Sequence, residues 1–117
     1  HGFNIDKGIP NEEQKENIKE IVALINEFSA SGYIEIIGHT DSIGSQKYNE
    51  QLSLKRAESV AMLLGEAGLS SGLVISSISG SGGREPMATN KTRKGWYLNR
   101  RVELKFKDLL LEKVIIE

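Results

Sequence analysis

From Ile18 to Phe28 the apolar residues Ile18, Ile21, Val22, Ile25 and Phe28 recur every three or four positions. That period predicts a helix with one face against a core. Asn11 and Gln14 stand three apart in a capping-box pattern, and Glu12, Glu13 and Glu16 suit the positive helix end. Ser29 to Gly32 closes the helix. Tyr33 to Ile37 is aromatic and β-branched with one charge, Glu35, and predicts a central strand. A tight polar turn, Gly38 to Gly44, follows. Ser45 to Gln51 is polar and shows no period. Ala57, Val60, Ala61 and Leu64 restore the helical spacing, which predicts a second helix from an N-cap at Ser53 to about Ala67, with Gly68 ending it. Val74 to Ser79 predicts another strand, broken by Gly80 to Gly83. Arg84 to Leu98, with Pro86, Asn90 and Gly95, predicts a long polar loop. Arg100 to Phe106 then alternates, with Val102, Leu104 and Phe106 on one face and Arg101, Glu103 and Lys105 on the other. This is the mark of a strand buried on one side.

Phe3 to Ile5 predicts a short opening strand, with a turn at Asp6 to Gly8. The order is strand, helix, strand, helix, strand, strand. It implies an α+β fold, βαβαββ, with two main helices packed on one face of a mixed sheet. Residues 1–107 form one domain on this reading. Residues 108–117 form an aliphatic extension, which is either an added strand or an added helix.

Composition narrows the functions. The chain has 117 residues, enough for one domain with a modest core. A net charge of -1 argues against a general polyanion binder. With no cysteine there is no disulfide, thiol nucleophile or thiolate metal site. No apolar run approaches the ~20 residues of a membrane helix. The opening His1-Gly2 reads as the edge of an excised or processed chain, so any membrane attachment is expected upstream.

Several residues invite a chemical reading. Asp41 in the polar turn and Arg56 in the second helix put opposite charges on neighbouring rigid supports. With Arg56 in the first turn of a helix starting at Ser53, the pair suits a small ligand bearing an ammonium and a carboxylate. A helix starting at Ser45 instead would put Arg56 ~16 Å from its start, and strand and helix would then have to lie side by side for the pair to meet. Thr40 and Asn49 would add neutral hydrogen bonds. The spacing alone equally fits a turn-capping Asp41 and a surface ion pair from Arg56. His39-Thr40-Asp41 has the H-x-D form of some iron sites, but the other histidine is His1, so no metal is expected. No serine lies in a nucleophile motif, and no enzyme activity is expected. Gly80 to Gly83 lacks the Lys-Ser or Lys-Thr of a phosphate loop. Lys91, Arg93, Lys94, Arg100 and Arg101 surround Trp96 and Tyr97, and no acid lies between Glu85 and Glu103. Two readings compete here, a nucleic-acid surface and a solvated loop pinned by its aromatics. The net charge favours the loop, so no nucleic-acid partner is expected.

The stretch GHTDSIGSQKYNEQLSLKRAESV resembles the signature of the OmpA-like C-terminal domain, the family of OmpA, Pal and MotB-type stators. The later residues Gly80 and Gly82, Glu85-Pro86, Asn90 and Asn99-Arg100-Arg101-Val102-Glu103 resemble it too. The likeness runs from about Phe3 to Phe106. It implies the βαβαββ fold, no cofactor, and non-covalent binding of peptidoglycan through the diaminopimelate of the stem peptide. The family's binding pair falls on Asp41 and Arg56, and its supporting residues on Thr40 and Asn49. Asp6 and Arg100 match at the edges of the pattern. The resemblance implies a periplasmic module of a Gram-negative envelope protein. An alternative use of the same fold is a protein-interaction or dimerisation domain, contacting a partner through residues 108–117.

Overall fold

The computed structural model describes residues 3–4 and 7–111 of the chain. Helix α1 spans Glu12–Phe28, strand β1 Ser29–Gly38, helix α2 Gln46–Glu66, strand β2 Leu73–Gly80, helix α3 Arg93–Asn99 and strand β3 Val102–Leu111. The sheet has the order β2-β1-β3, with β2 parallel and β3 antiparallel to the central β1. This is the mixed α+β sheet that the pattern predicts.

The apolar positions explain the layering. Ile34 and Ile36 are fully buried and meet Ile18 and Val22 of α1 and Ala57, Val60 and Leu64 of α2. Both long helices therefore cover one face of the sheet. The opposite face is wet. Tyr33 is exposed there, and Glu35 pairs with Lys107 at 3.1 Å. The register of β3 sets Leu104 beside Ile36 and Phe106 beside Ile34, but the predicted alternation holds only in part, since Phe106 is exposed and Arg101 is buried. Ile21 and Phe28 of α1 face the core less than their spacing predicts, each being 39% exposed.

The capping box forms as predicted. Asn11 N–H donates to Gln14 Oε1 and Gln14 N–H to Asn11 Oδ1, both at 2.9 Å. Gly68 follows α2 with a left-handed φ of 85°.

Three features differ from the sequence reading. Helix α2 starts two turns earlier than predicted, with Ser45 as N-cap accepting from Tyr48 N–H at 3.1 Å. Ser53 instead lies inside the helix, fully buried, and its hydroxyl donates to Glu50 O. The predicted loop contains α3, capped by Thr92, whose hydroxyl accepts from Gly95 N–H at 3.0 Å. Phe3 and Asn4 belong to no strand, although Phe3 N–H donates to Arg100 O at 3.1 Å, and Ile5 lies outside the described residues. Of the two forms left open for the stretch after position 107, residues 108–111 take the strand, continuing β3 to Leu111 opposite Ser29.

Candidate functional site

The site lies where β1 ends against the flank of α2. Gly38 makes this approach possible. A Cβ there would overlap the Ser53 carbonyl oxygen, and a Cβ on Gly80 would crowd Ser53 and Leu54. The two strand ends thus touch the helix backbone directly. The turn that leaves β1 is held by His39 N–H donating to Arg101 O at 2.8 Å and Thr40 N–H donating to Gly82 O at 2.9 Å. Thr40 Oγ1 donates to the Asp41 carbonyl, and Asp41 Oδ1 accepts from Ile43 N–H at 3.0 Å.

A small pocket of about 30 Å³ opens between this turn and α2. Thr40, Asp41 and Ile43 line it from the turn, Asn49, Leu52 and Arg56 from the helix, and Arg100 from the segment before β3. Asn49, Leu52 and Arg56 are spaced i, i+3 and i+7, which is one helical stripe. The early start of α2 therefore does not separate Arg56 from Asp41. It places Arg56 in the third turn, and the strand end and helix lie side by side so that both residues reach one pocket. What it removes is the predicted support of a helix N-terminus beside Arg56.

Two cations approach the pocket in different ways. Arg100 Nη1 pairs with Asp41 Oδ2 at 3.3 Å, and Arg100 Nε donates to Phe3 O. Arg56 is 1% exposed and donates to three backbone carbonyls: Lys7 O from Nε at 2.8 Å, His39 O from Nη1 at 3.0 Å and Asn4 O from Nη2 at 3.1 Å. Its guanidinium also stands 5.2 Å from the Phe3 ring centroid. Arg56 thus ties the N-terminal segment to the end of β1 as well as lining the pocket. Of the sequence candidates, Thr40, Asp41, Asn49, Arg56 and Arg100 converge here. Asp6 lies outside the described residues. Leu52 and Ile43 were not singled out from the sequence. The stripe from Asn49 to Arg56 identifies Leu52 once α2 begins at Ser45.

His39 points away from this pocket chemistry. It is buried, and neither ring nitrogen has a hydrogen-bond partner among the described residues. Glu103 Oε1 lies 3.4 Å from Nε2 without hydrogen-bond alignment and is itself held by Arg101 at 2.6 Å. Burial, reinforced by the Arg101 charge, holds the imidazole pKa below its usual value despite the opposing pull of Glu103. No cluster of three or more metal-binding side chains occurs among the described residues. A larger apolar groove of about 510 Å³, lined by Ile18 and Ile21 of α1 and by Val102, Leu104 and Phe106 of β3, contains none of the converging charges.

The model of the OmpA family matches residues 3–100. The chain belongs to the OmpA family. Among relatives, it is 34% identical over 101 residues to outer membrane porin F of Pseudomonas fluorescens, an alignment covering 86% of this chain and 30% of that protein. Among solved structures, it resembles the C-terminal domain of Helicobacter pylori MotB, with TM-score 0.77, 25% identity and coverage of 90% and 80% of the two chains. It also resembles the cell wall anchor of the T6SS from Pseudomonas aeruginosa, with TM-score 0.67, 30% identity and coverage of 87% and 71%. The two structural matches carry the OmpA-family fold across nearly the whole described chain. The chain spans less than a third of the length of the porin relative.

Proposed function

We propose that this OmpA-family domain binds peptidoglycan without catalysis, as a periplasmic module that anchors a Gram-negative envelope protein to the cell wall. On this reading it grips the zwitterionic end of diaminopimelate in the stem peptide. The reading is supported by one observation above all. Asp41, Arg56 and Arg100, from three separate segments, line one pocket with Thr40 and Asn49. Support also comes from the solved cell wall anchor, which is 30% identical to this chain.

The charges assign the roles. The ligand ammonium takes Asp41, a carboxylate held rigid by Ile43 N–H. The ligand carboxylate faces the guanidinium side of the pocket. The pocket is small and Arg100 closes on Asp41 across it. On this reading Arg100 swings away from Asp41 as the ligand enters, exchanging one ion pair for two.

Diaminopimelate titration and sacculus co-sedimentation test this reading in wild type and Asp41→Asn. The variant keeps the side-chain volume and loses the charge. Wild type is expected to bind and Asp41→Asn to lose binding, with unchanged circular dichroism. Equal binding by both proteins would reject the site.

A further inference from the structure

Among the described residues, the buried side-chain polar atoms that lack a hydrogen-bond partner are the two ring nitrogens of His39. Buried polar atoms are nearly always paired in folded proteins, so a bare imidazole calls for a cause. Its place in the fold supplies one. His39 N–H donates to Arg101 O at 2.8 Å, and His39 O accepts from Arg56 Nη1 at 3.0 Å. The residues that follow His39 are Thr40 and Asp41, and the residue before Arg101 is Arg100. Thr40, Asp41, Arg56 and Arg100 all line the pocket. The ring therefore sits where the segments that carry the pocket charges are bonded together.

Charges surround it. Arg101, Glu103 and Lys105 face the ring from β3 and the residue before it, and Glu85 faces it from the loop after β2. Arg101 is buried, and its guanidinium anchors the segment bearing Arg100. It donates to Asn99 O at 3.4 Å, to Glu85 O at 2.9 Å and to Glu103 Oε1 from Nε at 3.0 Å and Nη2 at 2.6 Å. A neutral ring leaves this anchor intact. Protonation turns both ring nitrogens into donors. Glu103 Oε1, 3.4 Å from Nε2, then has to serve two buried cations that repel each other.

We infer that His39 is a proton-operated latch on the pocket: proton uptake draws Glu103 away from Arg101 and loosens the two segments that carry Asp41 and Arg100. The latch is read from the protein alone, and its effect on a ligand rests on the proposed zwitterion pocket. His39 touches no ligand and acts as a positioning residue. The sign follows from linkage. Burial, with the Arg101 charge, holds the ring's pKa below its usual value. A ligand that needs the ordered pocket favours the neutral ring. Affinity is then complete above the ordinary imidazole range and falls as pH drops through the lowered pKa, by up to about tenfold per pH unit for one proton.

The test measures diaminopimelate and sacculus binding from about pH 7.5 to 5, above the range in which ordinary carboxylates take up protons. It compares wild type, His39→Gln and Glu103→Gln, with folding checked by circular dichroism. Wild-type affinity is expected to fall toward acid with a slope approaching about tenfold per pH unit. His39→Gln is expected to bind at neutral pH and to lose the slope, although His1 is still present. In Glu103→Gln the fall is expected at lower pH, because the carboxylate that favours proton uptake is gone. NMR of the wild-type protein without ligand follows the ring together with the amides of Thr40, Asp41 and Arg100, which are expected to move with the imidazole as it titrates. A flat wild-type binding profile, or a slope that survives in His39→Gln, overturns the latch. Amides that stay still while the ring titrates overturn it too. If nothing binds at neutral pH yet the amides follow the ring, the zwitterion pocket fails and the latch stands.

Discussion

Arg56 carries two duties, and the geometry ranks them. Three backbone carbonyls from two segments depend on its guanidinium. Arg56→Met is therefore expected to cost ~1–3 kcal/mol, by leaving the buried His39 carbonyl unpaired and untying the N-terminal segment, measurable by chemical denaturation. Lost ligand binding in that variant would follow from lost structure, whereas Asp41→Asn separates binding from folding. His39 gives a second residue-scale prediction. The unfolded chain takes up its proton near the ordinary value of about 6.5, while the native chain holds the imidazole neutral to lower pH. Unfolded molecules then bind more protons, so this contribution to stability is complete above about pH 6.5 and is lost as pH falls toward the depressed native pKa. The groups facing the ring are Arg101, Glu103, Glu85 and Lys105. Glu103 loses its own contribution at lower pH. Burial pushes its carboxyl up, but the Arg101 hydrogen bond and the charges of His39, Arg101 and Lys105 outweigh that and hold it below the usual range. Melting temperature followed against pH should show the upper limb in wild type and a flatter one in His39→Gln. Identical curves would remove His39 as its source.

At the scale of elements, α2 organises the site. Its first two turns carry Asn49 and Leu52, and its N-terminus rests on Ser45. Ser45→Ala is expected to cost ~1 kcal/mol and to raise amide hydrogen exchange in the turn around Tyr48. Unchanged exchange would mean that tertiary contacts alone hold this end. The sequence hid this part of the helix for a physical reason. The buried face of α2 includes Asn49, Ser53 and Arg56, all polar because they face the turn, the glycine-rich strand ends and the pocket. A search for apolar periodicity finds only Ala57, Val60 and Leu64, and so starts the helix at Ser53. Helix α3 escaped for a related reason. Its buried members are Gly95 and Asn99, and an invisible hydrogen-bond network takes the place of an apolar stripe.

For the whole molecule, the sheet takes in residues 108–111. Ser31 pairs with Leu110 and Ser29 with Leu111, so β3 supports the start of β1 where α1 ends. Deleting residues 108–117 is expected to lower the melting temperature by several degrees, since about 1 kcal/mol shifts a domain of this size by roughly 4–8 °C. A melt equal to that of the full chain would show the stretch to be separable. The same deletion tests the alternative role of residues 108–117 in self-association, through sedimentation at several concentrations.

The order of hydrophobic periods, 3.6 then 2 then 3.6 then 2, determined the α+β class and the core residues Ile18, Val22, Ile34, Ile36, Ala57, Val60 and Leu64. These depend on local spacing, and local spacing is written in the chain. The capping box at Asn11 and Gln14 is local in the same sense. The motif around Asp41 likewise marked which polar residues to watch. Only the tertiary structure decided that Arg100, 59 positions away, is the ion-pair partner of Asp41, and that Arg56 donates to carbonyls of both the N-terminal segment and the end of β1. Those choices arise where strand ends, a helix flank and a distant loop meet, and the energy of a polar contact depends on burial and direction, which no one-dimensional pattern records.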